Sequence, residues 1–278
     1  MRKQPIFWFV LVLALVVSSC STGSQPPRPG TPAFYWAAAQ EAYRGGDYPK
    51  TNSSLQELIR NDSEFSSRAR PWQLVIAAGL VQGYSDMADN YERGAKANRE
   101  NPMPFHKQVT SLRSLAGTSA IEVTEGLHIF MEKEKDPNVR LSFAFPAGNP
   151  AQPASLKKVA TGMLLQDSER DGMQVDMVQR GALLALCRVT GNPDDTAKTL
   201  EKFKGTEVTV PRDVFLFGIA RILQEQSELY GPTKLDHPGR YKVMITEALE
   251  AVQAVPETKE TKALAAKLQA ALKKGKTT

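Results

Sequence analysis

Apolar side chains recur at intervals of three and four through most of this 278-residue chain. That period restricts the folds open to it more than any other feature. Phe105, Val109, Leu112, Ala116, Ser119, Val123, Leu127 and Phe130 form one such stripe, and Tyr241, Met244, Ile245, Ala248, Leu249 and Val252 form the cleanest. Leu156, Val159, Ala160, Met163 and Leu164 make a third. Residues 175–189 and 214–223 are apolar on most faces, which predicts central, buried helices. The stretch 257–273 can bury only Leu264, Leu268 and Leu272, the pattern of a terminal helix with a polar outer side. Asn192-Pro193-Asp194-Asp195 reads as a stop followed by a cap for a helix over 196–203. Alternation of period two occurs once, where Val139, Leu141, Phe143 and Phe145 interleave with Arg140, Ser142 and Ala144 between Pro137 and Pro146. Val208 and Val210 could pair with it as a second short strand; an extended loop pinning its apolar side to the core fits equally well. The expectation is an all-α fold with at most one short two-stranded β element.

The amino terminus has a different texture. Arg2 and Lys3 precede residues 6–17, a run without a polar side chain and too short for the ~20 apolar residues of a membrane span. A charged head, a short apolar segment and a small-residue end together make a secretory signal over residues 1–19. Its last residues, Val17-Ser18-Ser19-Cys20, resemble the bacterial lipobox, in which a peptidase cuts before a cysteine that carries lipid on its sulfur. The resemblance implies lipid attachment at Cys20 and a membrane as partner. Residues 20–32 then form the anchor and a proline-rich tether, semi-rigid at ~3.1 Å per residue and able to span ~35 Å. Ser21, and not aspartate, follows the cysteine. By resemblance to sorting in Gram-negative envelopes, that implies the outer membrane, with the body facing the periplasm.

From residue 33 onward the helical texture begins. An alanine-rich, aromatic stretch ends at Arg44-Gly45-Gly46-Asp47, and residues 48–61 resume with Leu55, Leu58 and Ile59 on one stripe, so an antiparallel hairpin is expected. At an offset of thirty-six Trp36 maps onto Trp72, Ala42 onto Ala78, Tyr48 onto Tyr84 and Leu55 onto Tyr91, while Gly79, Gly83 and Gly94 permit close helix approach. Ala39, the Gly46-Asp47-Tyr48 turn and Leu55 resemble the tetratricopeptide pattern over residues 34–98, with Thr51 where that family has alanine. Further on, Gln108 and Ala120 stand in the aromatic positions and the register is lost. The resemblance implies a helical-hairpin (TPR-like) repeat lobe over 33–135. An extended loop at 136–153 and a less regular helical lobe over 154–278 complete the division.

Charge and motifs exclude more than they select. The net charge is +5; without Arg2 and Lys3 it is +3, from 33 basic and 30 acidic side chains, too mild and too evenly spread for nucleic acid. Lipidation would consume the Cys20 thiol, leaving Cys187 as a small buried hydrophobe within an apolar helix. Glu125-Gly126-Leu127-His128 has the Glu-x-x-His spacing of di-iron bundles, but neither His106 nor His237 completes a second copy. Ser155-Leu156-Lys157-Lys158 matches the short Ser-x-x-Lys pattern of acyl-enzymes without its companion motifs, so Ser155 reads as a helix cap. No Gly-rich phosphate cradle, no His-Glu-x-x-His and no zinc-binding cysteine pair is present. No enzyme, cofactor or metal is expected.

The first lobe is dense in aromatics. Most should pack between hairpins; Trp36, Tyr43, Trp72 and Tyr84 are the candidates for a concave groove that takes an envelope protein or peptide. Anchor, tether and TPR-like start together resemble two groups, the lipoprotein components of outer-membrane protein assembly and the helical lipoproteins that accompany solute-binding transporters. The first implies a scaffold for protein–protein contacts, the second a small-molecule receptor with its ligand between helical lobes.

Overall fold

The structure, a computed structural model, describes residues 26–148, 152–190, 196–230 and 238–274. Among them ten α-helices and one two-stranded antiparallel sheet are present, so the fold is all-α with a short β element. Residues 1–19, Cys20 and the stop at 192–195 lie outside the described residues.

Helix α1 (Pro32–Arg44) starts where Thr31 Oγ1 accepts the Phe34 N–H at 3.3 Å and Pro32 occupies the first turn, which needs no N–H there. It ends at Gly45, and Gly46, at φ +75°, turns the chain. Asp47 then caps α2 (Tyr48–Arg60) by accepting the Lys50 N–H at 3.1 Å. The first hairpin is thus written in local turn and cap chemistry.

The next pair is also an antiparallel hairpin, but α3 (Ser66–Ala97) has 32 residues and α4 (Met103–Lys133) has 31, against 13 in each of α1 and α2. The thirty-six-residue offset therefore does not repeat a helix–turn–helix. Tyr48 opens α2 beside the turn, whereas its counterpart Tyr84 lies in mid-helix. The physical reason lies in Gly79 and Gly83. They do not break the helix; they admit helix α6 (Asp167–Thr190) against α3. A Cβ on Gly79 would overlap the backbone of Ala182, and one on Gly83 would stand 2.7 Å from the Met177 carbonyl oxygen. Gly181 meets the Gly79 carbonyl from the other side. Gly218 repeats the device between α6 and α8 (Arg212–Ser227), 2.7 Å from the Arg188 carbonyl oxygen if given a Cβ.

The period-two stretch is a strand. β1 (Arg140–Ala144) pairs antiparallel with β2 (Glu207–Pro211), placing Leu141 opposite Val210 and Phe143 opposite Val208. Leu141 and Phe143 are buried and Arg140, Ser142 and Ala144 exposed, as one core-facing side requires. Phe145 donates its N–H to Thr206 O at 2.8 Å and Arg212 its own to Val139 O at 3.2 Å, extending the pairing at both ends. Short helices α5 (Ala154–Ala160) and α7 (Thr196–Phe203) flank α6. Helices α9 (Pro238–Gln253) and α10 (Lys259–Lys274) close the chain, with Leu264 and Leu268 of α10 buried.

Two hydrophobic cores result. One gathers Leu55, Leu58, Ile76, Leu80, Tyr84, Phe105, Val159 and Met177; the other gathers Leu74, Val81, Leu127, Phe143, Leu186, Phe215, Ile219 and Met244. Helices α3, α4 and α6 contribute to both, so the cores cross the 136–153 segment instead of being divided by it.

Candidate functional site

The four aromatics singled out for a groove are absorbed by packing. Trp36 stacks on Phe65 with centroids 5.5 Å apart and planes 10° from parallel. Tyr43 meets Trp72 edge-on at 4.8 Å and stacks on Tyr48 at 5.3 Å. The polar ends are also satisfied: Tyr43 Oη donates to Ala144 O at 2.7 Å, and Trp72 Nε1 donates to Ser142 O at 3.1 Å. Tyr84 is only 4% exposed. The space bounded by Tyr43, Tyr48, Trp72, Ile76 and Ala182 has no room for a water molecule. A groove through Trp36, Tyr43, Trp72 and Tyr84 is therefore corrected to a seam. Each ring has found an aromatic or aliphatic partner, and the Tyr43 and Trp72 donors each reach a backbone carbonyl, which leaves these two little to offer a ligand. Burial raises the Tyr43 and Tyr84 hydroxyl pKa values, and it pushes Tyr48 up to about 12.

The nucleophile candidates are likewise occupied. Ser155 is buried inside the first turn of α5, whose N-cap is Pro153 without a side-chain cap bond, so the expected capping role is not what this serine performs. Lys158 pairs with Glu169 at 2.7 Å and is not directed at Ser155. Cys187 is fully buried, and burial pushes its thiol up to about 12 despite the neighbouring Arg188 charge. A thiol buried and held in its neutral form is a poor nucleophile. The inert reading of Cys187 fits its surroundings.

His128 has company that its own helix does not reveal. Glu125 stays exposed, but α9 brings Glu247 and Glu250 against α4. One candidate ligand atom from each of His128, Glu247 and Glu250 lies within 4.8 Å of the other two, a grouping that recurs nowhere else among the described residues. His128 Nδ1 is 3.9 Å from Glu247 Oε1, and its Nε2 is 3.4 Å from Glu132 Oε1, one turn further along α4. Glu247 Oε2 has no contact with solvent and no hydrogen-bond partner. Burial and the Glu250 charge raise the Glu247 pKa, with His128 acting in the opposite direction. The sequence carried half of this signal, in His128 and Glu132 four apart and Glu247 and Glu250 three apart. Their union depends on α9 docking on α4, which periodicity does not specify.

Neither family models, curated proteins nor solved structures yield a match to this chain. None of the described helices is long and apolar enough to cross a membrane.

Proposed function

We propose that this protein is a lipid-anchored cell-envelope scaffold, held through Cys20 at the periplasmic face of the outer membrane, whose helical body meets other envelope proteins. The observation that carries the reading is the order of parts at the amino terminus: charged head, apolar run, Val17-Ser18-Ser19-Cys20, then the proline-rich tether that ends where α1 begins at Pro32. A body on such a tether gains an effective concentration near neighbours on the same membrane. Support from the body comes from apolar side chains left exposed on two neighbouring helices. Leu115, Ile121 and Ile129 on α4 and Val243 on α9 are exposed, on two helices that approach each other at Gly117–Arg240 and at His128–Glu247.

Two measurements test this. Cys20→Ala abolishes labelling by a fatty-acid probe and releases the protein from the membrane fraction; persistent labelling refutes the anchor. Crosslinking in intact cells followed by identification of the bound proteins recovers envelope partners. Recovery of a tightly held metabolite and no protein would overturn the scaffold in favour of a receptor.

A further inference from the structure

The His128 cluster is not required by a scaffold, and its chemistry is specific. We propose that His128, Glu247 and Glu250 bind a divalent transition-metal ion, with zinc the best match, and that the ion clamps α9 to α4.

The donor set selects the class of ion. An imidazole nitrogen with two carboxylates suits zinc and its first-row neighbours, whereas magnesium and calcium favour all-oxygen shells of six or more ligands. Zinc takes His nitrogen and Glu oxygen at ~2.0–2.2 Å in a four-coordinate shell, which sets its ligand atoms ~3.4 Å apart. The observed grouping, within 4.8 Å, is wider than that, and the exposure of His128 and Glu250 gives their side chains room to turn inward onto an ion. Three protein ligands leave the fourth position to water.

Three further features belong to a metal site more than to a solvated cluster. Glu247 faces His128 through Oε1 and keeps its other carboxylate oxygen, Oε2, out of water and without a hydrogen-bond partner, an arrangement that an added cation or donor relieves. Glu247 and Glu250 sit three apart on α9, so both project from one face and their mutual repulsion is relieved by a dication. Glu132 stands 3.4 Å from Nε2 of His128, on the side of the ring away from Glu247. A carboxylate there is placed to accept the second ring N–H once the ring turns to a metal at Nδ1, the outer-shell arrangement common to metal-bound histidines. In this assignment Glu132 is a positioning residue and not a ligand.

Isothermal titration of the untagged full chain with zinc chloride tests the site, alongside the visible absorption of a cobalt(II) complex. The expected result is one zinc per chain, a cobalt spectrum of four-coordinate type, and no displacement by excess magnesium or calcium. His128→Ala and Glu250→Gln, both at exposed positions, abolish the one-site heat while the metal-free protein still melts in one cooperative transition. Glu132→Gln weakens binding ~10-fold or more without changing stoichiometry. His106→Ala leaves binding as it was. Absence of one-site binding, survival of that binding in His128→Ala, loss of it in His106→Ala, or displacement by magnesium would each overturn the assignment.

Discussion

Helix α3 is held on two sides by opposite means. Toward α1 and β1 it presents Trp72, which with Tyr43 and Phe143 builds a seam of large rings whose donors reach β1 carbonyls. Toward α6 it presents Gly79 and Gly83, and the contact is backbone against backbone with Gly181 and Ala182. The ring seam derives its strength from buried area and tolerates adjustment of angle. The glycine seam buries little per residue, but it fixes the distance between two long helices with no slack. Substitutions should separate the two: the ring seam loses stability in proportion to what is removed, and the glycine seam loses it when anything is added.

The largest effect is expected from Phe143→Ala. This ring is fully buried and packs on Trp72 and on Phe215 at 5.3 and 5.7 Å, so its loss should cost ~3–5 kcal/mol in urea unfolding. Gly79→Ala comes next and is the sharper test. In an ordinary helix interior that change gains up to ~1 kcal/mol; here the added methyl meets the Ala182 backbone and should instead destabilise by ~1–3 kcal/mol. A stabilised Gly79→Ala variant would break the contrast. Tyr43→Phe keeps the ring and deletes the hydroxyl with its bond to Ala144 O and its contact with Tyr48, for a loss of ~1 kcal/mol in the same assay.

The polar contact between α4 and α9 gives the low end of the scale. Burial and Glu250 raise the Glu247 pKa in the fold, so the folded state holds that proton to higher pH than the unfolded chain does. Stability should therefore decline as pH rises through the interval between the unfolded and folded pKa values of Glu247. In metal-free protein Glu247→Gln removes this decline and changes the midpoint at neutral pH by less than ~1 kcal/mol. A thermal-melt series across that interval, wild type beside variant, reads it directly.

What the sequence made legible follows the same division. Stripes such as Phe105 to Phe130 mark helices because burial periodicity is a local property of the chain, whereas the alternation around Phe143 fits a strand paired with Val208 and Val210 and an extended loop equally well, and only the structure decides for β1. The turn at Gly45-Gly46-Asp47 was equally local. Gly79 and Gly83 were recognisable as sites of close approach, but the sequence did not say to what, and the aromatic offset suggested a second turn where α3 runs straight through. Trp36, Tyr43, Trp72 and Tyr84 looked available for a ligand because composition shows rings and not their neighbours. His128 looked isolated for the same reason, since its companions arrive from another helix late in the chain.

The Gly79–Ala182 crossing also bears on how the chain must be made. Ribosomal synthesis delivers α3 and α4 well before α6, so the slot along Gly79 and Gly83 stays open, with its flanking apolar side chains, until the later helix emerges. A nascent chain cut off before Asp167 has nothing to seat there. Such a fragment should be captured by chaperones or aggregate, and maturation becomes a single late event in which the helices before and after the 136–153 segment are committed together.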